Sequence, residues 1–405
     1  MKMKQDKHYT VAVEECVDVE QCPPQFGRSR RDILKLGAMG MVGLASPAAL
    51  GAQSSQQNAR ASAPDERRMA DRKTPVEDIP VVLESAINGS TTKKKNRHAP
   101  ETVPEQVTEM VRVLDAGAAI AHNHSNHFHE DPIQAARFYA EVNRQVLKKR
   151  PHAITYPTVN LDVSVLRNEK RALTAGAACA HQRVLAKAGL SNMIMLDTGS
   201  IPVALLEKDG IANDDVFFIY QFWPDDVRFS QRICNDTGAG AAVAVYEPGW
   251  MKSVVAMARA GTLPRGSKLN LFFGDDRYGC MPPPIPEALE LYLKMMEGLD
   301  LKWAVGCPAA DRGIMDTPLA RMALERGGSI RVGLEDYTTG PSNLEQLDRA
   351  KELVAAVGRR IIHGPEAVEY LDISMRPDPE GLEDDLGSED LKFGARQVDS
   401  PLLVC

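Results

Sequence analysis

Ala116-Gly-Ala-Ala-Ile-Ala-His-Asn-His124 is the stretch whose reading decides the fold: a glycine suited to the end of a helix, a short apolar run, then two histidines. The same junction recurs at Ala188-Gly189 before Met193–Leu196 and at Gly327-Gly328 before Ser329–Leu334. Glycine closes a helix because it accepts the left-handed conformation without a steric cost, and the chain then enters a strand. Working outward, strands are predicted at Pro80–Ile87, Ala118–His122, Ala153–Tyr156, Met193–Leu196, Ala241–Tyr246, Lys268–Phe273, Leu301–Val305 and Ser329–Leu334. Helix-periodic segments separate them: Pro104–Asp115, Pro132–Lys149, Glu169–Ala188, Asp225–Thr237, Trp250–Ala260, Ile285–Leu299 and Pro318–Arg326. Eight strands with helical crossovers predict an α/β fold of the (β/α)8 TIM-barrel type. An open doubly wound sheet fits less well, because no strand runs into a G-x-G-x-x-G turn and the strands number eight rather than six.

Side chains at i and i+2 of a strand leave the same face, so His122 and His124 project together from a strand end, about 7 Å apart along the backbone. Two imidazoles so placed are suited to one metal ion. His127 and His129 lie just beyond and out of phase, and are expected to stay outside the coordination sphere. Catalytic groups of such barrels sit at the C-terminal strand ends, where Glu335-Asp336 also falls, after the eighth strand. Strands two and eight flank strand one, so His122, His124 and Glu335 can converge on a zinc ion with one position open to substrate. In the eighth strand Arg331, Gly333 and Glu335 alternate with Val332, Leu334 and Asp336 until the strand ends.

With 405 residues and 43% hydrophobic side chains the chain can bury a large core. Its net charge of −7 gives no electrostatic case for nucleic acid. Ser29-Arg-Arg-Asp-Ile-Leu-Lys35, the weakly apolar run Leu36–Leu50 and the small pair Gly51-Ala52 resemble a twin-arginine export signal. The run is too short and too rich in glycine and alanine for a stable membrane span. The domain expectation is therefore a signal segment over 1–52, a flexible leader over 53–76, the barrel over 77–371 and a C-terminal extension over 372–405, in a periplasmic or otherwise exported protein served by the twin-arginine machinery. If the signal is not used the protein would be cytoplasmic. Cys179, Cys234, Cys280, Cys307 and Cys405 would remain after cleavage removes Cys16 and Cys22, an odd set without a CxxC pair that argues against a disulfide framework.

Glu84-Ser-Ala-Ile-Asn-Gly89, Pro104-Glu-Gln106, Ala116 to His124, Val245-Tyr-Glu-Pro-Gly249 and Gly327-Gly-Ser-Ile-Arg-Val-Gly-Leu-Glu-Asp336 stand in an order that resembles the β-keto acid cleavage enzymes, over about residues 79–371. The resemblance implies a zinc-dependent (β/α)8 barrel that converts a β-keto acid and acetyl-CoA into acetoacetate and a new acyl-CoA. It implies His122, His124 and Glu335 as zinc ligands, Asp336 as the base that removes the C2 proton, and Arg331 as the group that holds either that base or the developing negative charge. The enolate would attack the thioester and CoA would pass to the far carbonyl as the carbon–carbon bond breaks. Ser200, with Thr158 as a weaker match, would steady the reacting oxygens; Asn88 would touch the substrate carboxylate; Glu247 would orient a ligand or catalytic group. A homo-oligomer of two or four copies is usual for the family.

The chain departs from the family pattern in four places. Asn126 and His127 stand where an arginine and an aspartate are common, and Gly306-Cys-Pro-Ala-Ala-Asp-Arg312 replaces a Gly-x-Gly-Arg loop, shifting Arg312. Gly274 to Pro284 is more acidic and stiffer than a loop that receives CoA, and His363-Gly364 replaces a small polar segment. An exported enzyme meets little acetyl-CoA, so two alternatives stand beside acyl transfer to acetyl-CoA: a hydrolase or lyase acting on a related carboxylic acid without CoA, and a noncatalytic periplasmic barrel that binds metal or organic acid. Arg331, Glu335 and Asp336 speak against the last, since a binder needs no base beside its ligand.

Overall fold

The computed structural model describes residues 74–125, 132–160, 177–213 and 217–381. The export segment, the leader up to residue 73, His127, His129, the first part of the helix expected from Glu169, and the last part of the C-terminal extension lie outside the described residues.

Eight strands form one parallel sheet: β1 (Glu84–Ala86), β2 (Ile120–Asn123), β3 (Ile154–Pro157), β4 (Met193–Asp197), β7 (Gly240–Val245), β8 (Ser267–Phe272), β9 (Lys302–Gly306) and β10 (Ser329–Val332). Their order is β3-β2-β1-β10-β9-β8-β7-β4. The two end strands are joined by side chains: Asn192 accepts from Thr155 N at 3.1 Å and donates to Ala153 O at 3.0 Å, while Ser191 Oγ donates to Thr155 O at 3.0 Å. The result is the (β/α)8 barrel the sequence predicts. Strands β2 and β10 flank β1, with Glu84 registered against both Ile120 and Arg331.

The helices follow their local signals. Helix α1 (Val103–Asp115) starts at a Thr102–Glu105 capping box with a proline in its first turn and gives way to Gly117, at φ 105°. Helices α2 (Pro132–Lys149), α3 (Ala180–Lys187), α4 (Pro224–Thr237), α5 (Pro248–Arg259), α6 (Pro286–Met295) and α7 (Leu319–Glu325) correspond to the predicted segments. The apolar faces of these helices and strands meet in one core that includes Val107, Ile120, Leu196, Val243, Trp250 and Leu347.

Four features went unmarked in the sequence. An antiparallel hairpin, β5 (Ile201–Val203) with β6 (Phe218–Tyr220), is inserted after β4. Helix α8 (Asn343–Ala356) opens on a Ser342–Glu345 capping box, and helix α9 (Pro365–Tyr370) follows. Beyond residue 371 the chain packs against the turns that precede β4 and β7: Met375 N donates to Gly238 O at 2.9 Å and Asp378 N to Gly189 O at 2.8 Å. No helix among the described residues is long and apolar enough to cross a membrane. Cys179, Cys234, Cys280 and Cys307 are buried free thiols.

Candidate metal and catalytic centre

Strand β2 delivers His122 and the residue just past its end, His124, to the C-terminal side of the barrel. The His122 ring stacks on Tyr156 with centroids 4.3 Å apart, and its Nδ1 lies 3.0 Å from Tyr156 O. A carbonyl only accepts, so the proton belongs on Nδ1 and the Nε2 lone pair faces inward. His124 is fixed through its backbone. Asn88 accepts from His124 N at 2.9 Å and donates to His124 O at 2.9 Å, and Gln106 of α1 donates to the same oxygen at 2.6 Å.

Glu335 arrives by a different route. Strand β10 ends at Val332, and Gly333 takes φ 135°, where a Cβ would overlap the carbonyl oxygen of Ala86. The chain turns there, with Tyr337 N donating to Gly333 O at 2.8 Å. The strand alternation expected through Asp336 is lost, and Glu335 and Asp336 both reach Arg331. Glu335 Oε2 lies 3.1 Å from His122 Nε2, 3.3 Å from His124 Nε2 and 2.9 Å from Arg331 Nη2. The two Nε2 atoms are 3.2 Å apart, and one donor atom from each of the three residues falls within 4.8 Å of the others.

Arg331 is buried and shared among three carboxylates. Nε donates to Glu84 Oε1 at 2.9 Å, Nη2 faces Glu335 and Nη1 donates to Asp336 Oδ1. Asp336 Oδ2 is buried beside the Gly306–Cys307 backbone. Burial pushes the Asp336 carboxyl up to about 7; Arg331 opposes this, and Glu335 and Glu84 add to it. Burial also opposes charge on Glu335, yet Arg331 and the two imidazoles hold its carboxyl well below the usual range. Burial lowers His124.

The other expected site residues have more varied placements. Asn88, expected at the substrate carboxylate, is wholly buried, and its amide holds His124 and donates to Pro100 O at 3.1 Å. Its side chain pairs with both the N–H and the C=O of His124 and so fixes the backbone that carries that imidazole. The Ser200 hydroxyl is paired with the backbone of Phe222, donating to O and accepting from N, each at 3.0 Å, so it latches the base of the hairpin. Arg312 donates to Asp316 O at 3.3 Å within its own exposed loop and is not brought to the histidines. Glu247 stands at the N-cap position of α5, just past β7, without a side-chain capping hydrogen bond, and Thr158 follows β3 with its carbonyl accepting from His181 Nε2 at 2.7 Å.

Glu84, Tyr156, Lys268 and Asn270, unmarked as site residues in the sequence, lie along the barrel interior beside Arg331. Glu84 accepts from Lys268 Nζ at 2.6 Å, from Arg331 and from the Tyr156 hydroxyl, and Asn270 accepts from Lys268 at 2.6 Å. Their signal was present: Glu84 and Lys268 each put a charge inside an apolar strand run, where an unpaired charge is costly.

Comparisons with known proteins accord with this arrangement. The 3-oxoadipate:acetyl-CoA acetyltransferase of Cupriavidus necator is 25% identical over 292 residues, which cover 70% of this chain and 91% of that protein. A 3-keto-5-aminohexanoate cleavage enzyme of Acetoanaerobium sticklandii is 23% identical over 308 residues, covering 73% of this chain and 98% of that protein. Among solved structures, ObcA in its apo form superposes with a TM-score of 0.52 at 15% identity, over 69% of this chain and 66% of that chain, a likeness of fold alone. The profile of the beta-keto acid cleavage enzyme family matches residues 80–373, the whole span of the barrel. The chain is therefore an enzyme that belongs to the beta-keto acid cleavage enzyme family.

Proposed function

We propose that the protein cleaves the carbon–carbon bond of a β-keto acid by acyl exchange with acetyl-CoA, giving acetoacetate and a new acyl-CoA, at a zinc site formed by His122, His124 and Glu335. The observation that carries the reading is the convergence of these three donors beside Arg331 and Asp336 at the C-terminal end of the barrel. The donor set suits zinc. Two imidazole nitrogens and a carboxylate oxygen crowd one point, and the Nδ1 contact to Tyr156 O leaves His122 with a lone pair where a cation is required. When bound, zinc supplies a Lewis acid for the keto and carboxylate oxygens of the substrate.

The chain's own groups account for the proton. Asp336 Oδ2, buried and separate from the oxygen bound to Arg331, takes the proton from C2, while Oδ1 stays with Arg331. The C2 carbanion attacks the acetyl thioester carbonyl, forming the new carbon–carbon bond and expelling the CoA thiolate. The thiolate then adds to the original keto carbon, the C2–C3 bond breaks, and the departing acetoacetate enolate recovers its proton from Asp336. Arg331, held between Glu84, Glu335 and Asp336, keeps positive charge beside the developing oxyanion. Thr158, just past β3, is assigned to steady the reacting oxygens, and Glu247, just past β7, to orient a ligand or catalytic group. The C. necator relative, named for acetyl transfer from acetyl-CoA to 3-oxoadipate, supports the same cosubstrate here.

Incubation with a panel of β-keto acids and acetyl-CoA, followed by mass spectrometry, tests the reading. Appearance of acetoacetate together with the matching acyl-CoA supports it. Consumption of a keto acid without acetyl-CoA replaces it with a hydrolase or lyase, and no consumption of any acid overturns it.

A further inference from the structure

Glu84 is a carboxylate hydrogen-bonded by four side chains inside the barrel, and none of the three donor atoms is among its partners. It lies at the start of β1 and is completely buried. Lys268 donates to Oε2 at 2.6 Å, Arg331 Nε to Oε1 at 2.9 Å, the Tyr156 hydroxyl to Oε1, and Asn270 Nδ2 lies 3.3 Å from Oε1. Burial works against its charge, but Lys268, Arg331 and these hydrogen bonds more than offset that and hold the carboxyl at about 2. A buried ion network is no efficient source of stability, since apolar side chains of the same volume serve a core as well or better. What such a network fixes is geometry.

Two lines run from Glu84 to the centre. Through the Tyr156 hydroxyl it anchors the residue whose ring lies under His122 and whose carbonyl sets the His122 tautomer. Through Nε it holds one edge of the Arg331 guanidinium, whose other two nitrogens face Glu335 and Asp336. Lys268, held in turn by Asn270, places a second positive charge on Glu84. We infer that Glu84, balanced by Lys268, is a positioning residue that sets one metal-ligating imidazole and the Arg331 guanidinium from beneath, without contacting substrate or metal. This rests on the zinc triad proposed above. Groups behind metal ligands characteristically tune affinity by orienting the ligand.

Glu84→Gln keeps the size and an acceptor oxygen but removes the charge that holds two cations and the Tyr156 hydroxyl. Tyr156→Phe keeps the ring and the carbonyl under His122 and cuts the hydroxyl's links to Glu84 and to Asn270 Nδ2; Lys268→Met removes the balancing charge. Zinc affinity is measured by competition with a chromophoric chelator on the full chain, alongside thermal unfolding of the metal-free proteins and kcat and KM for both substrates. The expected result is a roughly 10- to 100-fold loss of zinc affinity in Glu84→Gln, a smaller loss in Tyr156→Phe, and a fall in kcat with the KM for acetyl-CoA unchanged. A purely structural role would lower the unfolding midpoint and leave the zinc affinity of the folded protein unmoved. If Glu84→Gln does not fold, Tyr156→Phe and Lys268→Met carry the test. Wild-type affinity in every variant that folds overturns the inference alone, whereas a wild-type protein that binds no zinc overturns the triad and the inference together.

Discussion

Tyr156 holds His122 twice, by its ring at 4.3 Å and by its carbonyl oxygen 3.0 Å from Nδ1. The two residues are paired in register on adjacent parallel strands, β2 and β3. The fold therefore dictates both the tautomer and the direction of the His122 lone pair.

Removal of that imidazole should abolish tight binding. His122→Ala and Glu335→Ala are each expected to drop zinc from about one ion per chain to well below half, measured by elemental analysis after dialysis against a weak chelator. The two proteins should remain folded by circular dichroism. Full stoichiometric zinc in either would remove that residue from the coordination sphere.

The turn at Gly333 is the second requirement of the site. Alanine there meets the Ala86 carbonyl at a φ of 135° that side-chain-bearing residues rarely adopt. Backbone strain alone is expected to cost on the order of 1–3 kcal/mol, seen as a lower denaturation midpoint, and zinc should be held more weakly because Glu335 hangs from this turn. A Gly333→Ala protein as stable as wild type would show that the turn can be made another way.

Asp197 gives a pH signature separate from the metal. It is buried at the end of β4, accepts from the Tyr220 hydroxyl, and burial pushes its carboxyl up to about 7 against that hydrogen bond. Between about 4 and 7 the folded state keeps this proton and the unfolded state does not, so the group's contribution to stability falls as pH rises through that window. Asp197→Asn has no proton to lose. Denaturant unfolding at several pH values between 5 and 8 should show the variant gaining stability relative to wild type as pH increases. A constant difference across the range would mean that Asp197 titrates normally.

Much of the barrel could be read from the chain because it is written locally: cap glycines before strands, periodic helices between them, and two histidines in strand phase at a strand end. The convergence of Glu335 on them followed from the neighbour relations of a closed barrel. Strand alternation could not give the position of Asp336, since the phase breaks at Gly333, whose need for an unusual φ depends on Ala86, far away in sequence. The pairing of Ser200 with Phe222 could not be read from the chain, because it spans a hairpin whose short strands carry little periodic signal. Helix α8 was legible after all, since Ser342 and Glu345 stand in capping-box spacing. Glu84 and Lys268 were visible as charges in apolar runs, but their partners are assembled only when β1, β3, β8 and β10 close around one axis.

The most direct test of the account is the rate of acetoacetate formation by Asp336→Asn, compared with wild type at equal zinc occupancy, on a β-keto acid that the wild-type protein consumes. Asparagine is nearly isosteric with aspartate and leaves the three donor atoms untouched, but it cannot take the C2 proton. The account predicts a loss of roughly 10²- to 10⁴-fold in kcat with zinc still bound. An asparagine variant that forms acetoacetate at the wild-type rate would contradict it.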